Sequence, residues 1–521
     1  MKALFNSTAA ILAFALSVSA SAQEAQPRYD LMSSINEQEF ISSEAVNLAL
    51  QEYNMSRLHK GLTDKQTEAK LEALKQAVAR YREVNTRQQA PAWAANHVEL
   101  PDGDELMLDE TWAKFVSIMS GERQVKKQDL SILYPWSANN ELRVLADKEV
   151  YWPSLLKDLA SAEKSIHMQM FGFQDQEITR QVLEIMKERR AKGVEIRIIL
   201  DQMGARMQKR QGFASQAIID EMRANGIEVL LTWDPKTRGL WKIDHRKIYI
   251  IDGKIGITTG YTMEDHMRND HFDMGVRTTG ELVGQMQMNF ILTYLYFGGK
   301  LDVTRGTEAL IGDYFPAPQA QAENTQRARV VTNIPNVAHQ SSQEYYELLG
   351  GDSKAPLHII NPYMNDGITM SLLISAAKSG REVNVYTGAQ AETPMYNWSM
   401  RRDFDKLTAA GVHCFYYHGP DLKLRSHAKG VLVEGEEASV GSTNLDVFSL
   451  FQNYEQNVVS DDSKFVEDIK GNVFDYVRQY SKPYEPTKGF MPKLKLKVRA
   501  FPGALARFIF GHGNGNGYKK K

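Results

Sequence analysis

The chain has 521 residues, 43% hydrophobic and 24% charged, with 62 Lys plus Arg against 64 Asp plus Glu and a formal net charge of -2. This is the composition of a soluble globular protein long enough for two or three domains, and its charge balance gives no general attraction to nucleic acid. Cys414 is the single cysteine, which excludes an internal disulfide and leaves a buried structural thiol as the expected role.

Residues 1–22, MKALFNSTAAILAFALSVSASA, carry an early Lys2, an apolar run from about Ala9 to Val18 and the small-x-small ending Ala20-Ser21-Ala22. That is the pattern of a secretory signal peptide cut after Ala22, with an apolar run too short to span a bilayer. An exported protein, periplasmic or secreted, is expected. Residues 23–139 show helical patterning in SSEAVNLALQEYNMSRLHKGL and DKQTEAKLEALKQAVARYREV, broken at Gly61 and closed by loops at Pro91 and Pro101. They read as a small helical accessory region.

From residue 140 a βα rhythm begins. Strands are expected at Ser165 to Phe173, Glu195 to Asp201 and Ile227 to Trp233, with helices at Glu177 to Ala191 and Ala214 to Ala224. A hairpin from His245 to Thr259, turned at Asp252-Gly253, and an apolar helix from Leu282 to Tyr296 complete the unit. The Met and aromatic residues of that helix sit at core spacing. After a linker at 311–327 the order repeats: strands Leu357 to Tyr363, Glu382 to Tyr386 and Val412 to Tyr417, helices Gly367 to Ser379 and Trp398 to Ala410, hairpin Lys429 to Val440 and helix Phe465 to Tyr480. The expected fold is α/β: two similar α/β/α halves, 140–310 and 328–485, with mixed, mostly parallel sheets. Residues 486–521 form a tail with nine Lys or Arg and no acid, which suits an anionic lipid surface or a plain basic terminus.

Each half carries one His-x-Lys, His245-Arg-Lys247 and His427-Ala-Lys429, and no other histidine in the chain has a lysine two residues on. On a strand, residues two apart share a face, so imidazole and ammonium stand side by side. An acid follows each His at offset 7 (Asp252, Glu434) and again at offset 28 (Asp273, Glu455). With 64 acids in 521 residues, four such matches have a chance of roughly one in four thousand.

His-x-Lys, the later acid and the run Gly441-Ser442-Thr443-Asn444 resemble the phospholipase D superfamily, whose signature is His-x-Lys, four residues, Asp, six residues, then Gly-Gly or Gly-Ser and x-Asn. The continuation LDVFSLFQNYEQNVV and the segment YWPSLLKDLASAEKSIHMQMFGF look like the bacterial cardiolipin synthase branch. The resemblance covers roughly residues 145–485. It implies two phospholipase D-like halves related by a pseudo-twofold, with both His-x-Lys pairs at one central pocket. It also implies catalytic roles for His245, Lys247, Asp273, His427, Lys429 and Glu455, with Asp273 and Glu455 at the position of the His-orienting carboxylate.

Asp252 and Glu434 each precede Gly at a hairpin turn, so a structural role stands beside a catalytic one. Ser442 and Asn444 would donate to phosphate oxygens. The first copy departs here, with Thr259, Gly260 and Thr262 at the matching positions, and Thr262 is left as its phosphate-binding donor. Chemically, one imidazole attacks phosphorus, the other protonates the leaving alcohol, and two ammoniums neutralise the oxygens. His245 is preferred as the nucleophile and His427 as acid and base. No metal or other cofactor is needed, so activity should survive a chelator. His266 and His271 read as ordinary histidines; the loops Gln202 to Gln211 and Glu392 to Arg402 are expected near substrate. The expected partners are a phospholipid membrane surface as substrate and an alcohol or water as acceptor, with nucleic acid disfavoured and no protein partner evident. A periplasmic nuclease of the same superfamily and an inactive lipid-binding homologue are the alternatives.

Overall fold

A computed structural model describes residues 37–58, 64–84, 96–99, 101, 105–108, 110–202, 204, 215–232, 242–317, 326–389, 394–420 and 425–500. The signal-peptide stretch, positions 203 and 205–211 of one expected substrate loop, Glu392 and Thr393 of the other, residues 318–325 of the linker and residues 501–521 of the tail lie outside them.

Helices α1 (Glu37–Leu58) and α2 (Asp64–Val84) pack through Val46, Leu74 and Val78, and α1 also rests on the second half. Helix α3 (Glu110–Met119) follows a two-stranded hairpin, Asn96–Glu99 with Glu105–Leu108. The first half then contributes β1 (Ser137–Ala146), α4 (Lys148–Ala160), β2 (Ser165–Met170), α5 (Glu177–Ala191), β3 (Glu195–Asp201), α6 (Ser215–Ala224), β4 (Glu228–Thr232), β5 (Ile248–Ile251), β6 (Ile255–Thr259), β7 (Met274–Gly280) and α7 (Glu281–Tyr296). The second half contributes β8 (Gln326–Ile334), α8 (Gln340–Gly350), β9 (Leu357–Ile360), α9 (Gly367–Lys378), β10 (Val383–Gly388), α10 (Pro394–Ala409), β11 (His413–Tyr417), β12 (Gly430–Val433), β13 (Glu437–Gly441) and β14 (Glu455–Ser460). A last helix, α11 (Phe490–Arg499), packs on α10.

The two halves repeat one strand order, β1-β7-β6-β5-β2-β3-β4 and β8-β14-β13-β12-β9-β10-β11, and join through the antiparallel pair β1 and β8. The α/β class and the two similar halves are therefore as expected, but the sheet is not mostly parallel. Within this sheet, among the described residues, only β2, β3, β4 and their counterparts β9, β10, β11 run parallel, while the other pairings are antiparallel. Parallel neighbours need a long crossover, which α5 and α6 supply, whereas β5 and β6 are joined by a tight turn at 252–254 and can only pair antiparallel. At the β5–β6 turn Asp252 and Gly253 both have positive φ, and Lys254 N–H donates to the Ile251 carbonyl.

Strand β2 is buried along its whole length, and α5 buries Ile178, Val182, Leu183 and Met186 on one face in the core it shares with Ile166, Met168 and Met170 of β2. Each such aliphatic side chain contributes about 1.5–3 kcal/mol. The Asp265 carboxylate accepts from Glu177 and Ile178 N–H at the start of α5, and Gly193 with φ of 92° follows its end.

Helix α7 is buried all round and spans the seam between the halves, so its Met and aromatic residues are core, as their spacing implies. Its amides are all engaged: Gln285 bonds Pro135 O and Val330 N–H, and Asn289 donates to Gln456 Oε1 at 2.6 Å. Cys414 is buried on β11 and burial pushes its thiol up to about 12, which makes it inert.

Candidate active site

Both histidines lie at the carboxyl ends of the parallel strands. Gly430, three residues after His427, pairs with Ile360 at the end of β9, and Ile248 pairs with Gln169 near the end of β2. The segment before each histidine leaves its own half and runs beside the segment before the other half's carboxylate. His245 N–H donates to Tyr454 O at 3.0 Å and Tyr454 N–H to Ile243 O at 2.9 Å. In the other half Arg425 and Ser426 pair parallel with His271 and Phe272, and His427 N–H donates to Phe272 O at 2.9 Å.

The consequence is a crossed site. Glu455 of the second half lies with both carboxylate oxygens 3.1 Å from Nδ1 of His245. Asp273 of the first half lies with Oδ2 2.8 Å from Nδ1 of His427. A proton on Nδ1 given to the carboxylate leaves Nε2 of each ring for chemistry. Neither half can make a working histidine alone.

Burial works against the charged forms of both acids, yet the surrounding cations prevail. Lys429 and His427 hold Asp273 below the usual carboxylate range, and His245, Lys247 and Ser442 do the same for Glu455. His245 is pushed down by burial against the pull of Glu455, with Lys247 and Lys429 adding to the depression. The crossed pairs bring His245 with Lys247 and His427 with Lys429 to the seam between the halves. Lys247 is fully buried, and burial lowers its ammonium to about 8 despite Glu455 and Asp273.

Each lysine is aimed by its own histidine's backbone: Lys247 Nζ donates to His245 O at 2.6 Å, and Lys429 Nζ reaches both His427 O and His427 Nδ1. A lysine carries three donors, so Lys247 keeps two N–H groups for an anion. Phe171 meets the His245 ring edge to face at 5.3 Å, and Tyr363 and His271 approach the His427 ring at 6.3 and 6.2 Å.

Six of the expected site residues thus come together: His245, Lys247, Asp273, His427, Lys429 and Glu455. Asp252 does not join them. Its carboxylate accepts from the N–H groups of Glu163, Lys164 and Ser165 and clamps the hairpin turn to the start of β2. Glu434 sits at the equivalent turn, five residues beyond Lys429 and roughly 16 Å along an extended strand, and pairs with His358 Nε2 at 3.1 Å. Both are structural because the hairpin carries its turn away from the strand ends where the histidines are.

Two of the three phosphate-binding expectations, Ser442 and Thr262, are also redirected. Ser442 gives its hydroxyl to Glu455 Oε2 at 2.5 Å, and Thr262 gives its hydroxyl to Glu264 Oε2 at 2.9 Å. A small hydroxyl beside a buried carboxylate is captured by the stronger acceptor. Asn444 donates its backbone N–H to Ser449 Oγ, and its buried Oδ1 has no hydrogen-bond partner among the described residues. At position 260 a Cβ would collide with both Asp273 carboxylate oxygens, which is why Gly stands there.

Sequence reasoning missed the support beneath His245. Arg246, fully buried, grips Asp244 through Nε at 2.9 Å and Nη2 at 2.8 Å, donates to Asn289 Oδ1 at 3.1 Å and faces the Tyr454 ring at 5.2 Å. Asp244 N–H donates to Asp201 Oδ2, and burial pushes the Asp201 carboxyl up to about 7. The second copy has Ala428 in place of Arg246, so no repeat exposed this network. His271, read as ordinary, sits against His427; its spacing carried no signal.

Comparison with known proteins identifies the family. The family model described as "Cardiolipin synthase, PLD-like domain" matches residues 155–291 and 351–476, together half of the chain. The probable cardiolipin synthase YwiE of Bacillus subtilis is 26% identical over 387 residues, covering 71% of this chain and 73% of that one. The cardiolipin synthase of Geobacillus kaustophilus is 26% identical over 372 residues, covering 67% and 70%. Among solved structures, phosphatidylserine synthase of Haemophilus influenzae superposes with a TM-score of 0.56 at 16% identity, covering 74% of this chain and 98% of that one, a likeness of fold. With both matched segments carrying a His-x-Lys and the two meeting in one crossed site, the chain belongs to the cardiolipin synthase, PLD-like domain family of the phospholipase D superfamily.

Proposed function

We propose that this chain is a phosphatidyltransferase that works on membrane phospholipid, as the names of its relatives suggest, and that it does so through a covalent phosphohistidine. The observation that carries the reading is the crossed pair, His245 with Glu455 and His427 with Asp273, beside two buried lysines.

In the first step Nε2 of His245 attacks phosphorus of a phosphatidyl donor, and the bond from phosphorus to the head-group oxygen breaks. His427, protonated, gives its Nε2 proton to that oxygen, and Lys247 and Lys429 stabilise the charge on the non-bridging oxygens. In the second step the acceptor hydroxyl gives its proton to His427 as its oxygen attacks phosphorus, and the P–N bond to His245 breaks. The depressed basicity of His245 supports its choice as nucleophile, since a nucleophilic imidazole must be neutral. With phosphatidylglycerol as both donor and acceptor the products are cardiolipin and glycerol; with water the product is phosphatidic acid.

The chain is also proposed to be exported, on the pattern of residues 1–22. A mature protein beginning at Gln23 is the expected mass-spectrometric result, and retention of Met1 in the cell would overturn it. For the reaction, purified protein is incubated with phosphatidylglycerol vesicles and, in parallel, with single-stranded DNA, beside His427→Ala. Cardiolipin or phosphatidic acid that disappears in the variant supports the reading, whereas cleavage of DNA alone moves the substrate to nucleic acid.

A further inference from the structure

Of the seven exposed large hydrophobic side chains among the described residues, four lie on the ten-residue helix α11: Phe490, Met491, Leu494 and Val498, at 78%, 58%, 43% and 67% exposure. Single exposed apolar residues are ordinary, but four on one short helix are not. At 3.6 residues per turn these four fall within about 100° of arc. Lys493 and Lys497 flank the stripe on one side and Lys495 and Arg499 on the other, with Lys488 just ahead of the helix; the half-buried Leu496 faces inward. An outward apolar strip rimmed by cations on both edges is the arrangement of a helix that lies in a lipid interface.

The helix is placed where such a surface would serve the site. Its chain starts beside the last turns of α10, where Tyr484 Oη and Thr487 N–H bond the Asp405 carboxylate, and it ends with Arg499 over the Trp398 ring at 5.7 Å. It therefore climbs α10 toward that helix's first turns. Those turns lie at the end of the sheet that carries the histidines, since Met364 N–H, just past β9, meets Met400 Sδ at 3.3 Å. Ala500, the last described residue, is buried, so the helix is anchored at both ends while its apolar strip faces outward.

We propose that α11 is the docking element through which this enzyme sits on an anionic phospholipid bilayer. The proposal rests on the phosphatidyl-transfer reading for its choice of surface. Charge decides the occupant: five cations border the strip, and residues 486–521 contain no acid. Among the described residues no helix is long and apolar enough to cross a membrane, and an interfacial helix holds a protein at the surface without crossing. The apolar side chains supply insertion and the lysines the preference for negative lipid.

The test compares full-length parent protein with F490S/L494S/V498S and with K493E/K495E/K497E by flotation on phosphatidylglycerol vesicles and on phosphatidylcholine vesicles. Each variant is also assayed on a short-chain, monomeric phosphatidylglycerol. The expected result is preferential binding of the parent to phosphatidylglycerol and a loss of roughly tenfold or more in each variant, with turnover of the monomeric lipid kept. Vesicle binding unchanged in both variants would overturn the proposal, as would equal binding of the parent to both lipids. A parent dimer that becomes monomer in the serine variant without any change in vesicle binding would overturn it in favour of a second copy of this chain. Docking through α11 without turnover of any lipid would sink the transferase reading alone; turnover of monomeric lipid with variant-insensitive docking would sink this proposal alone.

Discussion

The carboxylate that holds His245 and the one that holds His427 are built differently. Glu455 shares its charge among His245 and three further donors, Ser442 Oγ, Ser449 Oγ and Asn453 Nδ2. Asp273 takes one backbone N–H, from Met274 at 2.8 Å, and gives its other oxygen to His427, with Lys429 against the same ring nitrogen. The backing residues differ to match: Ser442 fits against Glu455, while Gly260 leaves room for Asp273. The halves repeat in strand order but give two unlike histidines, which suits the proposed division into one nucleophile and one acid.

The sharpest way to break that comparison is to remove each histidine. His245→Asn and His427→Asn should each lower phosphatidyl transfer by roughly ten-thousandfold. On a donor with an activated phenolic leaving group, which needs no proton, His427→Asn should still show a burst and accumulate acid-labile phosphohistidine. His245→Asn should show neither. A burst in His245→Asn and none in His427→Asn would exchange the two roles.

The carboxylates come next. In Asp273→Asn the new amide nitrogen must face either the His427 Nδ1–H or the Met274 N–H, a donor against a donor, and activity should fall about a thousandfold. In Glu455→Gln the amide can turn its nitrogen to Ser442 or Ser449, whose hydroxyls can accept, so a loss of about ten- to a hundredfold is expected. Equal losses in kcat for the two variants would show that the hydroxyl backing is irrelevant.

Gly260→Ser, which copies the second half into the first, should push Asp273 out of line and cost about a hundredfold in kcat, with a stability loss of about 1–3 kcal/mol by thermal unfolding. Ser442→Gly, the reverse copy, removes one donor from Glu455 and should cost only a few-fold. A Gly260→Ser protein as active as the parent would mean that the space is not needed.

The pH dependence separates the halves more gently. His245 lies below its ordinary 6.5, so kcat/KM should fall on the acid side only below that value, as protonation removes the nucleophile. Lys247 at about 8 loses its charge as pH rises, so kcat/KM should also fall through about pH 8. For stability the sign is opposite. Between about 8 and 10.5 the unfolded lysine binds a proton that the folded one does not, so this group's contribution to stability rises with pH over that window. An activity profile flat to pH 9.5 would remove Lys247 from the phosphate clamp. The smallest effect on chemistry belongs to Asp252→Asn, expected to lower stability by about 1–3 kcal/mol through its three amide bonds while leaving the kcat of folded enzyme unchanged.

Much of this was legible in the chain itself. The His-x-Lys spacing depends only on the two-residue period of a strand, and the repeated β and α patterns depend on which side chains face the core; both are local properties written in order along the sequence. So were the Asp-Gly turn, the buried α7 and the six central residues. Which histidine meets which carboxylate was not local. The offset of 28 is the same in both copies whether the pairs form within a half or across the seam, and only the pairing of 243–245 with Tyr454 and of 425–427 with 271–272 crosses them. The diversion of Ser442 and Thr262 to carboxylates, and the Arg246–Asp244–Asp201 support, were equally hidden. They arise from groups brought together by burial, where the strongest acceptor nearby takes each donor, and that competition exists only once the two halves have closed on one another.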